Sequence, residues 1–305
     1  MIPVDVLVLT YKRPALLADT LRSLAGQRLP WDIRMGVIVV DNDRQQSGRA
    51  IVEEFRSRFR DIRYVCEPQA NVAIARNRAL REARGVLVAF MDDDEIAAPD
   101  WLASLLKARR WYEAQIVCGP VLPKFVAAAP RWVKRGRFFD RPRFATGTAV
   151  AGGTGNVLLD LAAVRRVQVT FDPAYGKSGG EDTQFFHNLR AAGLRCIWCD
   201  EAVVHEQVQR ERMRVRWLVR RAFQGGHSFA RIHDAGRFWP QRAKALLYSS
   251  AALAFLFMVP LAACTGFASA LRMSQRCARH LGRGAALWRT FSAAERGSDA
   301  HAIAH

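Results

Sequence analysis

The sequence predicts an α/β fold built on a Rossmann-like, mostly parallel sheet and followed by a C-terminal helical membrane-associating segment. Three observations carry that expectation. Short apolar runs alternate with amphipathic ones through the first 91 residues, three of those runs end in polar clusters, and residues 245–271 contain no charge at all. Alternating strands and helices give parallel strands joined by right-handed crossovers. Such sheets bind ligands beyond the carboxyl ends of their strands.

Residues 4–9 read as a buried strand. A helix is expected over 14–25, with Leu16, Leu17, Leu21 and Leu24 on one face and Pro14 suited to the first turn. A second strand over 35–40 ends in Asp41, a helix follows over 48–59, and a third strand occupies 62–66. Residues 72–83 form the third helix and 86–91 the fourth strand, which runs straight into Asp92, Asp93 and Asp94 with Glu95 behind them. Adjacent anions repel one another and form strands and helices poorly, so their place at the end of a buried strand points to a bound cation. In a parallel sheet the clusters Thr10-Tyr11-Lys12-Arg13, Asp41-Asn42-Asp43 and Asp92-Asp93-Asp94 meet on one edge.

The middle of the chain is less regular. Residues 127–148, rich in Arg, Pro and Phe and without a period, read as a long loop over the site. GGTGN at 152–156 leads into the apolar run VLLDLAAV, and the turn-rich stretch 171–180 approaches Glu181-Asp182. A helix over 183–192 closes at Gly193.

The net charge of +18 implies an anionic partner. It is unevenly placed, since residues 206–305 carry 16 Lys/Arg against 5 Asp/Glu. The start, MIPVDVLVLTYKRP, has no basic n-region, so reduced cytosolic thiols are expected for the six cysteines. Cys196 and Cys199 form a C-x-x-C pair, but no second pair completes a zinc site and RCIWCDEAVV reads as a strand.

The 27 residues of 245–271 would extend about 40 Å as a continuous helix, more than a ~30 Å hydrocarbon core requires. Pro260 interrupts them, and both flanks are basic: Arg242 and Lys244 before, Arg272, Arg276, Arg279 and Arg283 after. A single span would place one basic cluster outside, against the positive-inside tendency. A re-entrant hairpin bent near Pro260 keeps both at an anionic cytoplasmic face. The expected organisation is a catalytic domain over 1–210, a basic helical connector over 211–244, a hydrophobic hairpin or span over 245–271, and a basic tail over 272–305.

In order and spacing, TYKRP at 10–14, VVDN at 39–42, NVAIARN at 71–77, FMDDDE at 90–95, GTGN at 153–156 and GGEDTQF at 179–185 resemble the family 2 inverting glycosyltransferases of the GT-A nucleotide-diphospho-sugar transferase fold. The form NVAIARN looks most like the branch that builds bacterial exopolysaccharides such as succinoglycan. The resemblance implies a divalent ion, Mn²⁺ or Mg²⁺, held by Asp94 against the donor diphosphate, with Asp92 or Asp93 near the sugar nucleotide. It implies a base contact for Asp41, helped by Thr10, Tyr11 and Arg13, and a base or ribose contact for Arg76, which otherwise reads as a solvated helix arginine. Asp182 becomes the base that deprotonates the acceptor hydroxyl, and Glu181 contacts the acceptor or orients its neighbour. His205 either completes the metal shell or is a structural hydrogen-bonding residue. MRVRW at 213–217 departs from the Q-x-x-R-W element of processive synthases at Met213, which argues for single-sugar transfer.

The combined expectation is an inverting, metal-dependent transferase at the cytoplasmic face of a bacterial inner membrane. Its implied partners are a nucleotide-sugar donor, a UDP-sugar in family terms, a polyprenyl-diphosphate-linked saccharide acceptor and the membrane surface; arginines between 210 and 221 either bind the acceptor diphosphate or form a solvated helix face. The rival is a non-catalytic basic protein that binds nucleic acid or membrane. It accounts for the charge but not for two carboxylate clusters at a phosphate-binding face, and the aromatic interleaving of RNA-binding modules is missing. No Walker-type glycine loop is present for nucleotide hydrolysis.

Overall fold

Strand β1, Ile2–Thr10, is an almost unbroken apolar run, and in the computed structural model, which describes residues 1–234 and 241–302, Val4, Val6, Leu7 and Val8 are fully buried. Pro14 opens helix α1, Pro14–Ala25, which is followed by β2, Ile33–Asp41, and α2, Arg49–Phe55. The helix expected to reach residue 59 stops at Phe55 and tightens into a 3₁₀ turn, Arg56–Arg58. Next come β3, Ile62–Cys66; α3, Val72–Glu82; β4, Leu87–Asp92; β5, Glu95–Ala97; and α4, Trp101–Tyr112. Then follow β6, Ile116–Cys118; β7, Val121–Phe125; the short α5, Arg131–Gly136; β8, Val157–Asp160; and α6, Leu161–Arg166. Helix α7, Glu181–Ala191, precedes β9, Cys196–Trp198, and β10, Val204–Val208. After a 3₁₀ turn at Arg210–Met213 the chain is helical: α8, Val215–His233; α9, Gln241–Cys264; and α10, Phe267–Ala302.

Two compact units result. The first comprises Met1–Lys124, Phe139–Lys177 and Glu181–Gln207; the second comprises Phe125–Phe138, Ser178–Gly180 and the chain from Val208 onward. Residues 235–240 of the expected connector and 303–305 of the expected tail lie outside the described residues, as do the side chains of Arg242 and of residues 289–302.

The first unit is organised by a seven-stranded sheet in the order β3-β2-β1-β4-β8-β6-β9. The first four strands are mutually parallel, as the alternation predicted, and β8 runs antiparallel to both its neighbours. Strand side chains alternate faces, so each strand feeds two cores. Val4, Val6 and Val8 of β1 join Val37 and Val39 of β2 against Leu17, Leu21 and Leu24 of α1 and Trp101, Leu102 and Leu105 of α4. Leu7, Ile38 and Val40 point the other way, toward Ala73 and Ala79 of α3 and Phe185, Phe186 and Leu189 of α7. Each Val, Leu, Ile or Phe among them contributes about 1.5–3 kcal/mol when fully buried. A smaller sheet, β5-β10-β7, continues from the acidic end of β4.

The second unit is built from α8, α9 and α10 with α5. Helices α8 and α10 approach closely enough that a Cβ on Gly226 would lie 2.0 Å from the Arg279 carbonyl oxygen, and one on Gly282 would lie 2.1 Å from that of Phe223. Pro260 lies inside α9, so the bend expected there falls later. The chain reverses at Thr265 and Gly266, where Gly266 adopts φ +119°, a conformation open to glycine and costly for other residues. Residues expected as a tail are the long helix α10.

Candidate active site

The sheet register brings the three polar clusters together. Thr10 pairs with Asp41 across β1 and β2, and Leu9 pairs with Asp92 across β1 and β4, so all three strand ends lie on one edge. Asp41 is fully buried there. Its Oδ1 accepts the Asp43 N–H at 3.0 Å, while Oδ2 accepts the Gly48 N–H at 2.7 Å and the Tyr64 hydroxyl at 2.9 Å. Burial and the hydrogen bond to Asp41 push the Tyr64 phenol above its ordinary range. With both oxygens engaged, Asp41 holds the β2–α2 loop in shape. Asn42 ties the next strand end: its Nδ2 donates to the carbonyls of Glu67 and Gln69 at 2.9 and 2.7 Å, and its Oδ1 accepts the Asn71 N–H at 3.0 Å.

The acidic run divides its side chains between different surroundings. Thr20, fully buried on α1, donates its hydroxyl to the carbonyls of Asp93 and Glu95, both at 2.8 Å, and fixes the turn. Asp93 accepts the Thr10 hydroxyl at 2.8 Å and Arg13 Nη1 at 3.3 Å; the same nitrogen reaches Asp94 Oδ2 at 3.4 Å. Burial pushes the Asp93 carboxyl up to about 6, against the pull of Arg13 and the Thr10 hydrogen bond. Asp92 keeps 43 % of its side chain exposed and lies 3.8 Å from Arg76. Loss of surrounding water still lifts its carboxyl, opposed by Arg76 and reinforced by the charges of Asp94 and Asp182. Glu95 is buried, accepts the Asp92 N–H at 2.9 Å, and is raised well above the carboxylate range by burial and then by Asp92. Tyr11 stays 48 % exposed, with the Lys12 ammonium 5.2 Å from its ring centre.

The segment NVAIARN joins this edge to Glu181-Asp182. Asn71 caps α3 by accepting the N–H groups of Ala73 and Ile74, and its Nδ2 donates to the Pro173 carbonyl at 2.9 Å. Asn77 makes a reciprocal pair with Phe171, donating to its carbonyl at 2.7 Å and accepting its N–H at 2.9 Å. Phe171 stacks on Phe185 of α7 at 3.8 Å and sits 5.6 Å under the Arg76 guanidinium. Arg76, far from being solvated, is buried and ion-paired with Glu181 on one side and Asp92 on the other. It therefore bridges the two acidic motifs. Glu181 Oε2 is buried with no hydrogen-bond partner among the described residues, and burial lifts this carboxyl despite Arg76.

Asp182 stands in the first turn of α7, where the helix dipole favours an anion. Its Oδ1 accepts the N–H and hydroxyl of Thr183 at 2.6 and 3.3 Å. His205 lies on β10 opposite Ile96 of β5, and burial and the Lys124 charge lower its pKa, which favours the neutral imidazole. Asn156 of the GTGN segment is buried structural glue: it accepts the Trp101 indole N–H at 2.7 Å and donates to the carbonyls of Pro120 and Ala202.

Sequence reasoning missed Arg141. It donates to Glu206 at 2.7 Å, and its charge opposes the upward shift of the Asp92 and Glu95 carboxyls, so the aperiodic loop delivers a cation to the acidic edge. A Cβ on Gly155 would lie 2.9 Å from Glu95 Oε1 and 3.7 Å from both Arg141 Nη1 and Asp92 Oδ2, which places all three around one backbone position. No sequence signal distinguishes Arg141 from the other arginines of its loop. Oxygen donors that raise one another's pKa suit a hard divalent cation, although among the described residues no three His, Cys, Asp or Glu side chains are grouped to hold one.

Comparison with known proteins gives this geometry a family. The succinoglycan biosynthesis protein ExoM of Rhizobium meliloti (strain 1021) is 42 % identical over 231 residues, covering 75 % of this chain and 74 % of that protein. Validoxylamine A glucosyltransferase of Streptomyces hygroscopicus subsp. limoneus is 32 % identical over 222 residues, covering 62 % of this chain and 48 % of that protein. The glucosyl-dolichyl phosphate glucuronosyltransferase of Haloferax volcanii is 24 % identical over 251 residues, 74 % of this chain and 75 % of its own length. Among solved structures, S. aureus TarS 1-349 in complex with UDP-GlcNAc superposes with a TM-score of 0.58 at 15 % identity, covering 92 % of this chain and 90 % of that one, a likeness of fold. The mixed sheet is thus the GT-A fold that the motifs led one to expect. The family model described as glycosyl transferase family 2 matches residues 5–169, a span running from β1 through both the acidic run and the GTGN segment, and the chain belongs to that family.

Proposed function

We propose that the protein transfers a single sugar, with inversion, from a nucleotide-sugar donor to a membrane-borne saccharide acceptor in the assembly of an exopolysaccharide or related cell-envelope glycan. The observation that carries this reading is the Arg76 bridge, which holds Asp92 of the acidic run and Glu181 beside Asp182 on one guanidinium. Donor-side and acceptor-side carboxylates are thereby fixed as one constellation. Support for the class of product comes from the ExoM relative, and for a UDP-sugar donor from the UDP-GlcNAc bound to TarS. A polyprenyl-diphosphate-linked acceptor at the cytoplasmic face of the inner membrane agrees with the name of the dolichyl phosphate relative and with the apolar helix α9.

The roles follow from chemistry. The acceptor hydroxyl attacks the anomeric carbon and loses its proton to Asp182; Thr183 orients Oδ1, so Oδ2 is the oxygen that takes the proton. The nucleoside diphosphate leaves from the opposite face with a growing negative charge. Arg13, Lys12 and Arg141 supply fixed positive charge at that edge, and Thr10 and Asp93 set Arg13 in place. Asp94 is the residue that would hold Mn²⁺ or Mg²⁺, with Asp92 beside it and the neutral His205 as a further ligand. A bound ion of this kind supplies Lewis-acid stabilisation to the leaving diphosphate. Glu181 and Arg76 position Asp182, and Asp41 with Asn42 shapes the loop that receives the nucleotide.

The test is Asp182→Asn, which keeps the Thr183 contacts while removing the base. Transfer from a radiolabelled donor is expected to fall by about 10²–10⁴-fold, with UDP binding by calorimetry unchanged. Retention of transfer within a factor of ten would place the base elsewhere.

A further inference from the structure

Helix α9 is long and apolar enough to cross a membrane, since the 22 residues Ala243–Cys264 reach about 33 Å. Its neighbour forbids it. Helices α9 and α10 lie antiparallel, with Arg283 over the Tyr248 ring at 5.3 Å, Arg276 over the Phe255 ring at 6.0 Å and His280 stacked on Phe255 at 5.3 Å. The cations of α10 are therefore level with the first half and middle of the apolar helix. A crossing α9 would draw Arg272, Arg276, Arg279 and Arg283 into hydrocarbon or tear these contacts apart. Nor can α10 swing aside, because Gly226 and Gly282 lock its backbone against α8, whose Arg216, Arg220 and Arg221 are exposed.

The outer face of α9 has the opposite character. Leu246, Leu247, Leu253, Leu256, Phe257 and Leu261 are between 54 % and 74 % exposed and, at about 100° per residue, fall on one half of the helix circumference. On α10, Arg272, Arg276 and Arg279 are exposed. An apolar face edged by cations matches the boundary of an anionic bilayer, where acyl chains lie just beneath phosphates.

We infer that α9 and α10 form a monotopic hairpin that seats on one leaflet of an anionic membrane, with the outer face of α9 immersed, the α10 arginines at phosphate level and no segment of α9 crossing. The inference rests on the membrane-borne acceptor of the proposed reaction for its purpose and on helices α8, α9 and α10 for its geometry.

Cys264, at the turn of the hairpin, is the one exposed thiol of six and reports directly on depth. Full-length protein labelled there with an environment-sensitive fluorophore is mixed, without detergent, with vesicles of phosphatidylcholine plus phosphatidylglycerol or of phosphatidylcholine alone. Emission should shift to the blue with the anionic vesicles, with binding at least about fivefold weaker to the neutral ones. Nitroxides near the headgroup should quench more strongly than nitroxides at the bilayer centre. Strongest quenching at the centre, or labelling of Cys264 in intact cells by an impermeant thiol reagent added outside, would show a crossing helix and overturn the inference. The double variant Phe257→Asp and Leu261→Asp, which touches only exposed positions, should cut vesicle binding about tenfold or more. Unchanged binding would overturn it, as would a dimer that buries this face in place of lipid. UDP release from donor by the same variant, measured with a detergent-free soluble acceptor, separates the two readings: normal release with lost vesicle binding supports the hairpin, and vesicle binding by a protein that turns over no donor removes the transferase reading alone.

Discussion

Neighbouring residues of one type have been given unlike chemistry by what surrounds them. Asp93 is buried against Thr10 and Arg13, Asp92 opens toward Arg76, and Glu95 withdraws beneath both. An acidic triplet therefore holds two side chains buried on Arg13 and one that opens toward Arg76, a division that spacing alone does not show. The cysteines differ in the same way. Burial, with Glu201 accepting its hydrogen bond, pushes the Cys199 thiol up to about 12 from 9.0. At pH 8 almost none of it is in the thiolate form that reacts. Kinetic titration with a thiol reagent should find Cys264 modified first, and Cys118, Cys196, Cys199 and Cys277 protected until denaturant is added. Fast native-state modification of Cys199 would contradict its burial. Because the folded-state value is the higher one, keeping this thiol neutral adds stability that is fully present below about pH 9 and is lost as pH rises through about 12.

At the scale of elements, the contact between α8 and α10 makes the sharpest demand on sequence. Gly226→Ala and Gly282→Ala each force a methyl group onto a backbone carbonyl that cannot retreat without parting the helices. Each is expected to destabilise the second unit by about 1–3 kcal/mol, read as a lower midpoint in denaturant melts followed by helical circular dichroism. A variant as stable as the parent would mean that the helices lie further apart. Much of the first unit was legible in the chain. Helix α1 and strand β3 occupy the residues that periodicity assigned, and the meeting of three strand ends followed from parallel pairing alone. What escaped depends on distant partners. Arg76 reads as a surface helix residue until the fold brings Glu181, 105 positions later, to its guanidinium. Proline breaks helices in general and so points to Pro260 as the turn of the hairpin, but the reversal needs a positive φ, which Gly266 supplies.

For the molecule as a whole, ligand linkage offers a test that does not depend on turnover. UDP at a hundred times its dissociation constant should stabilise the folded protein by about 2.7 kcal/mol, and Mn²⁺ should add a further increment if a carboxylate shell completes around it. Asp94→Asn is expected to retain the UDP increment and lose the Mn²⁺ one in thermal melts. An undiminished Mn²⁺ increment would show that Asp94 is not the ligand. The ties that run from Asn71 to the Pro173 carbonyl and from Asn77 to the backbone of Phe171 have a consequence for recombination. A chimaera of two relatives joined between positions 78 and 170 would mate one parent's asparagines and Arg76 with the other parent's approach to Glu181. Crossovers placed before residue 71 or after residue 182 inherit these asparagine ties whole and leave Arg76 facing the Glu181 of its own parent.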